Sequence, residues 1–274
     1  MKVNHRKARL LLLSVLAVVA ALVVGTTASA QAAKAAYKVT LRTSVSTSTA
    51  DRFITVSGRV TGPKATGRNV AVQRRYAGGP WVTVATAKVS RRGTYAARVE
   101  TPRGGTTSFR AIKGRSSVRS AGTSATRSIP VYRWLYLSDQ PGETSNAIRG
   151  VDELVDGKHY PHSIDYFDNG YMEFKLGNLC TALSTVAAYL PGPPDAPAAD
   201  ATLRVGTWNS GSSTFTDKVI SSGTPVPINL SEVGTQFRYL NPSGTDAGYR
   251  MALLDPKVYC NADVLPTWQQ SEID

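Results

Sequence analysis

The chain of 274 residues is poor in the side chains that carry most chemistry: two cysteines, three methionines and three histidines. His5 lies in the extreme N-terminal segment, which leaves His159 and His162 for the rest of the protein. A zinc centre needs at least three protein ligands, so it would have to recruit carboxylates here. No Gly-x-Ser-x-Gly elbow occurs, and a serine triad would have to borrow one of the same two histidines. Amphipathic helices are missing as well: residues 182–188 are the most helix-tolerant stretch, and Thr181, Thr185 and Val186 weaken it. Beyond the N-terminal segment no apolar run is long enough to cross a bilayer. Acid is nearly absent from the first half, where residues 31–129 carry 19 Lys and Arg side chains against only Asp51 and Glu100. Residues 130–274 reverse the balance, with 9 basic and 17 acidic side chains.

What is present begins with an export pattern. Lys2, Arg6, Lys7 and Arg9 precede fifteen uncharged, mostly apolar residues, Leu10 to Val24, and small residues ending in Ala28-Ser29-Ala30. This order of basic, apolar and small segments predicts a secretory signal peptide over residues 1–30, cleaved after Ala30. Fifteen residues at a helical rise fall short of the roughly 30 Å hydrocarbon core, so no membrane span is expected after cleavage. The mature chain is expected to be secreted and extracellular, in a compartment where thiols oxidise. Its two cysteines, Cys180 and Cys260, are then expected to form one disulfide. Neither has a histidine or second cysteine close in sequence to share a metal.

The charge change divides the mature chain into two modules, with "TSATRSIP", Thr123 to Pro130, as the joint. In the first, residues 31–129, short runs of period two are broken by glycine and proline: "RFITVSGRV", "NVAVQRR", "WVTVATAKV", "TYAARVE" and "SFRAIK". Seven or so strands at this spacing describe a β-sandwich of about 90 residues. The pattern resembles the small immunoglobulin-like modules of secreted actinobacterial proteins. Trp81 directly follows a Gly-Gly-Pro turn, where packing at a hairpin is favoured over a ligand platform. No helix pattern, zinc spacing or aromatic motif accompanies the basic side chains, so nucleic acid is not the expected partner. Anionic polymers of a cell envelope fit an exported basic module, and a merely solvated basic surface fits equally.

Residues 130–262 also read as strands: "VYRWLYLSD", "YMEFKL", "CTALSTVAAYL", "ATLRVGTW", "FTDKVIS", "VPINL", "QFRYLNP" and "YRMALLDPKVYC". In "YMEFKL", Met172, Phe174 and Leu176 share one face, as in a sheet buried on one side. Eight strands in two layers make a jelly roll. Residues 263–274 are left as a C-terminal tail. The order "YLSD", "GKHYPHSI", "YMEFKLGNLCTALSTVAAY", "ATLRVGTWNSG", "VPINLSEVGTQFRYL", "DPKVYC" resembles the NPCBM family, carbohydrate-binding modules with a galactose-binding-like jelly roll. Secreted actinobacterial members are similar in a cysteine at each of the two positions occupied by Cys180 and Cys260. "WNSG", Trp208 to Gly211, departs from the acidic Asp-Gly turn of the family.

The resemblance implies a secreted, non-catalytic protein that binds a carbohydrate or cell-wall polysaccharide. The alternative is an adhesive envelope protein whose basic module holds anionic wall polymer. Sugars are held by aromatic faces with a few polar groups that orient hydroxyls. The candidates are Trp134, Tyr136, Tyr189 and Trp208, with Asp139 and Asn209 as polar neighbours, and each aromatic is equally compatible with a core position. His159 and His162, with Asp165 and Asp168 behind them, invite a metal reading. Pro161 between the histidines enforces extended backbone, so they are expected on a strand that leads to an Asn169-Gly170 hairpin. No cofactor is expected. The acidic stretches "LSDQPGETSNA" and "GVDELVDG", read as loops, offer hard oxygen ligands for a structural calcium ion.

Overall fold

A computed structural model describes residues 34–190, 201–209, 212–220, 225–231, 233, 236–240 and 250–267. The expected signal segment and its cleavage position lie outside them. The described chain is all-β, as expected, with a single 3-10 turn at Leu137–Asp139. The first ten strands are Lys38–Val39 (β1), Arg42–Thr43 (β2), Ser48–Thr49 (β3), Arg52–Thr61 (β4), Asn69–Tyr76 (β5), Val82–Lys88 (β6), Thr94–Thr101 (β7), Gly105–Lys113 (β8), Gly122–Thr123 (β9) and Arg127–Tyr136 (β10). Eight follow: Glu143–Val155 (β11), Lys158–Lys175 (β12), Cys180–Leu190 (β13), Ala201–Asn209 (β14), Ser212–Ile220 (β15), Val226–Leu230 (β16), Gln236–Leu240 (β17) and Arg250–Cys260 (β18).

Strands β1, β2, β4 and β7 form one sheet, and the others form a branched second sheet with the path β15-β14-β17-β12-β18-β10-β8-β5-β6. Two main apolar clusters are buried. The N-terminal one packs Val56, Val70, Val72, Phe109, Ile129 and Val131 among others, and the C-terminal one packs Leu135, Leu137, Ile164, Phe174, Leu183 and Val258. Alternation explains both: β7 reads out-in from Thr94 to Thr101, and Met172, Phe174 and Leu176 are all fully buried on the face expected for them.

The expected joint does not form a loose linker along its whole length. Residues 127–130 begin β10, which pairs with β8 from Arg127 to Val131 and with β18 from Arg133 to Tyr136. One uninterrupted strand thus belongs to both lobes. Polar contacts brace it: the Gly104 N–H donates to Asp263 Oδ1 at 2.7 Å, Arg133 reaches the same oxygen at 3.2 Å, and the Val131 N–H donates to Asn261 Oδ1 at 3.3 Å. Gly104 is required here, because a Cβ would lie 2.1 Å from the Ala262 carbonyl oxygen.

Two local expectations are corrected. The chain does not reverse at Asn169-Gly170: β12 runs from Lys158 to Lys175, and β11 follows it on both sides of residues 167–170, where the register slips. The reversal lies at Asp156-Gly157, whose φ angles of 52° and 72° are those of a tight primed turn, joining Val155 to Lys158. The acidic stretches read as loops are largely strand, since β11 absorbs residues 143–155. Cys180 and Cys260 face each other across β13 and β18 and form the expected disulfide, 80 residues apart in sequence.

Both sulfurs sit in the C-terminal core. Closing a loop of this length constrains the unfolded chain by up to about 4.5 kcal/mol. Cys260→Ser is expected to lower unfolding free energy by about 2–5 kcal/mol, read from the denaturant midpoint, with no such drop if the bridge is dispensable.

Candidate functional site

The face of β10 turned away from both cores is aromatic. Ile129, Val131, Leu135 and Leu137 point inward, so Tyr132, Trp134 and Tyr136 point out, and Trp134 is 43% exposed. The neighbouring strand β18 repeats the pattern in "KVYC", burying Val258 and Cys260 and presenting Lys257 and Tyr259. Register places Trp134 opposite Tyr259 and Tyr136 opposite Lys257. The rings form a shelf: Tyr132 stacks on Tyr259 at 5.3 Å, Trp134 meets Tyr259 at 5.2 Å with a 44° tilt, and the Lys257 ammonium sits 5.3 Å from the Trp134 ring. The Tyr259 hydroxyl is fixed by Thr49 at 2.9 Å, a side chain from the N-terminal lobe.

His162, on β12, stacks against Tyr136 with ring centres 3.9 Å apart, and its Nδ1 lies 3.5 Å from Asp139 Oδ2. The Asp255 carboxylate accepts from the His162 backbone N–H at 2.9 Å. Beside the shelf, a groove of 220 Å³ is lined by Lys158, Tyr160, Ser184, Asn229, Asp255 and Lys257 among others. An apolar shelf thus adjoins a groove of hydroxyl, amide, ammonium and carboxylate groups. A larger cleft of 770 Å³ lies on the N-terminal lobe, but its one aromatic lining residue, Tyr95, is buried.

Trp134, Tyr136 and Asp139 therefore come together on one surface. Tyr189 does not: it is 3% exposed inside the C-terminal core, where a ligand has no access. Trp208 and Asn209 lie in β14, opposite Ser213 and Ser212, and their side chains fall outside the described residues. Tyr132, Tyr259, Lys257 and His162 went unremarked as ligand groups in the sequence, although the alternation in "VYRWLY" and "KVYC" marks three of the four.

Among the described residues no group of three or more His, Cys, Asp or Glu side chains could hold one metal ion. The carboxylates considered for calcium are split: Asp139 faces His162, Asp152 pairs with exposed His159 at 3.2 Å, and Glu153 pairs with Arg250 at 3.2 Å. The side chain of Asp168 is outside the described residues.

The structure does single out two acids. Asp165 is 1% exposed, with Arg250 Nη1 2.6 Å from its Oδ2, and the same guanidinium also holds Glu153. Burial pushes the Asp165 carboxyl up to about 7, the charge of Glu153 adds to this, and Arg250 opposes it. A carboxyl so enclosed has no room beside it for a sugar ring, so the pair is structural in character.

Comparison with known proteins gives no family assignment: no family model and no curated protein matches. Among solved structures, a family 51 carbohydrate-binding module from Clostridium perfringens in complex with methyl-galactose is similar at 12% identity, with a TM-score of 0.37, over 46% of this chain and 99% of that one. Vicilin from Capsicum annuum is similar at 8% identity and a TM-score of 0.15, over 77% of this chain and 76% of that one. Likenesses this loose decide neither fold type nor ligand.

Between about pH 4 and pH 7 native Asp165 keeps a proton that the unfolded chain has lost, so stability falls as pH rises through that window and levels off above it. The thermal midpoint is expected to drop from pH 5 to pH 8 by a few degrees more in the native sequence than in Asp165→Asn, on a scale of about 2–4 °C per kcal/mol for chains of this size. Equal slopes in the two proteins would contradict the assignment.

Proposed function

We propose that the protein is a secreted, non-catalytic carbohydrate-binding protein that takes a glycan chain on the shelf of Trp134, Tyr259, Tyr132 and Tyr136. The observation that carries the reading is the exposure of a tryptophan on a strand face that also buries two cores on its reverse side. Rings that adjoin one another across two strands make a contiguous aromatic patch, the kind of exposed area that marks an interaction site. A pyranose has one face of C–H groups, which lies flat on an indole or phenol ring, and an edge of hydroxyls, which need donors and acceptors. Ser184, Asn229, Asp255 and Lys257 stand beside the rings to supply them. The pinned shelf limits the entropy lost on binding: Thr49 fixes Tyr259 and His162 backs Tyr136.

The export pattern and the disulfide support an extracellular setting. The enclosed acids Asp165 and Glu153 are both held by Arg250.

Retention on immobilised neutral polysaccharides at 0.5 M salt, where surface charge is screened, measures the shelf alone. Trp134→Ala is expected to weaken binding by about tenfold or more, corresponding to about 1.4 kcal/mol. Undiminished retention of that variant would sink the reading.

A further inference from the structure

The outward face of β10 does not stop at the shelf. Running back from Trp134, it carries Tyr132, Pro130 and Ser128, and Ser128 sits opposite Ser108 of β8, their hydroxyls 2.8 Å apart. Directly opposite residues share a face of a sheet. Ser108 is opposite Arg75 of β5, and Arg110, two positions along β8, is opposite Gln73, so both arginines stand on the same side of the sheet as the aromatic shelf. The two guanidiniums lie over the Trp81 ring, 4.6 Å and 4.3 Å from its centre. Arg110 Nε is held by Gln73 Oε1 at 2.8 Å, and Gln73 is held in turn by Thr83.

Stacking and this hydrogen bond fix the arginine planes before any ligand arrives; both side chains are half-buried, and Arg75 Nε is enclosed with no hydrogen-bond partner among the described residues. Neither arginine is paired with a carboxylate among the described residues, and the lobe's two acids lie elsewhere: Glu100 is beside Arg74, and Asp51 is at the β3-β4 turn. The result is an uncompensated positive site with an aromatic floor. Arg110 lies about eight residues along the strand direction from Trp134, or about 27 Å at a strand rise of ~3.4 Å.

We infer that the protein binds an anionic glycan, a chain bearing carboxylate or phosphodiester groups, along this whole face: sugar rings rest on the Trp134 shelf while an anionic group farther along the chain is held by Arg75 and Arg110 on Trp81. The inference rests on the shelf being a sugar site. It gives the N-terminal lobe a share in recognition, and continuous β10 keeps the two subsites in register. Lys257 over Trp134 extends the positive charge to the shelf itself.

The test uses the full mature chain and three polymers of matched length: polygalacturonate, the same polymer with its carboxyls methyl-esterified, and a poly(hexose phosphate) whose sugar rings are joined by phosphodiesters. Native protein, Arg75→Gln/Arg110→Gln and Trp134→Ala are titrated at 50 and 500 mM salt. The expected result is at least tenfold tighter binding of one or both anionic polymers over the esterified one at 50 mM salt. The double glutamine variant should lose that preference while keeping its affinity for the esterified polymer and its thermal midpoint. Which anionic polymer shows the preference identifies carboxylate or phosphodiester as the group held. Equal binding of charged and esterified polymer by the native chain, or an undiminished preference in the double variant, overturns the inference and leaves the shelf reading standing so long as Trp134→Ala weakens the esterified polymer. If Trp134→Ala binds that polymer as the native chain does, the shelf reading falls instead. Single-stranded DNA bound as tightly as the better anionic polymer also overturns it, because the ligand would then be a nucleic acid.

Discussion

The alternation of β10, interrupted only at half-exposed Arg133 where the strand passes from one core to the other, is the constraint from which the rest of the structure follows. Ile129 and Val131 enter one core and Leu135 and Leu137 the other, all on one side of the chain. With period two, a strand that buries Ile129, Val131 and Leu135 in two cores must present Tyr132, Trp134 and Tyr136 outward. Tyr132, Trp134 and Tyr136 are therefore held at the surface by the packing behind them, and a slip of one residue would bury the aromatics and expose both cores. The position of the shelf is a consequence of core packing, which makes it rigid.

That rigidity is reinforced where the lobes meet. Asp263 links Gly104 to Arg133, Asn261 takes the Val131 N–H, and Thr49 reaches Tyr259. Each such bond contributes only about 0.5–1.5 kcal/mol net. Their value lies in leaving β10 little freedom to bend at the place where it changes partners. The disulfide plays a comparable part at the other edge of β18, joining it to β13 opposite Arg133.

Much of this architecture was legible in the sequence, because short alternating runs broken by glycine and proline define strands wherever one face is buried. β4, β5, β7, β13, β16 and β18 lie within a residue or two of the quoted stretches. The failures have physical causes. β11 reads "ETSNAIRGVDELV", in which polar residues dominate because most of the strand is exposed, so only backbone pairing with β12 reveals it. Asn169-Gly170 and Asp156-Gly157 are both competent primed-turn pairs, and pairing of β11 with β12 on either side of residues 167–170 selects the second. Of the two positions open to Tyr189 the fold takes the core, because "AAYL" is buried on both faces: Ala187 and Tyr189 enter the main core, while Ala188 and Leu190 enter a smaller cluster with Tyr160, Ala252 and Leu254. A doubly buried strand has no alternation to read. His162 became visible only when the fold stacked its ring on Tyr136.

The claim that β10 is one strand shared by two cores is tested most directly by native-state hydrogen exchange of the full chain at increasing denaturant. Peptides covering Ile129 and those covering Leu135 are predicted to share a single opening free energy, with the amides between them equally protected. Rapid exchange between Val131 and Arg133, with independent openings on either side, would show a flexible joint and contradict the account.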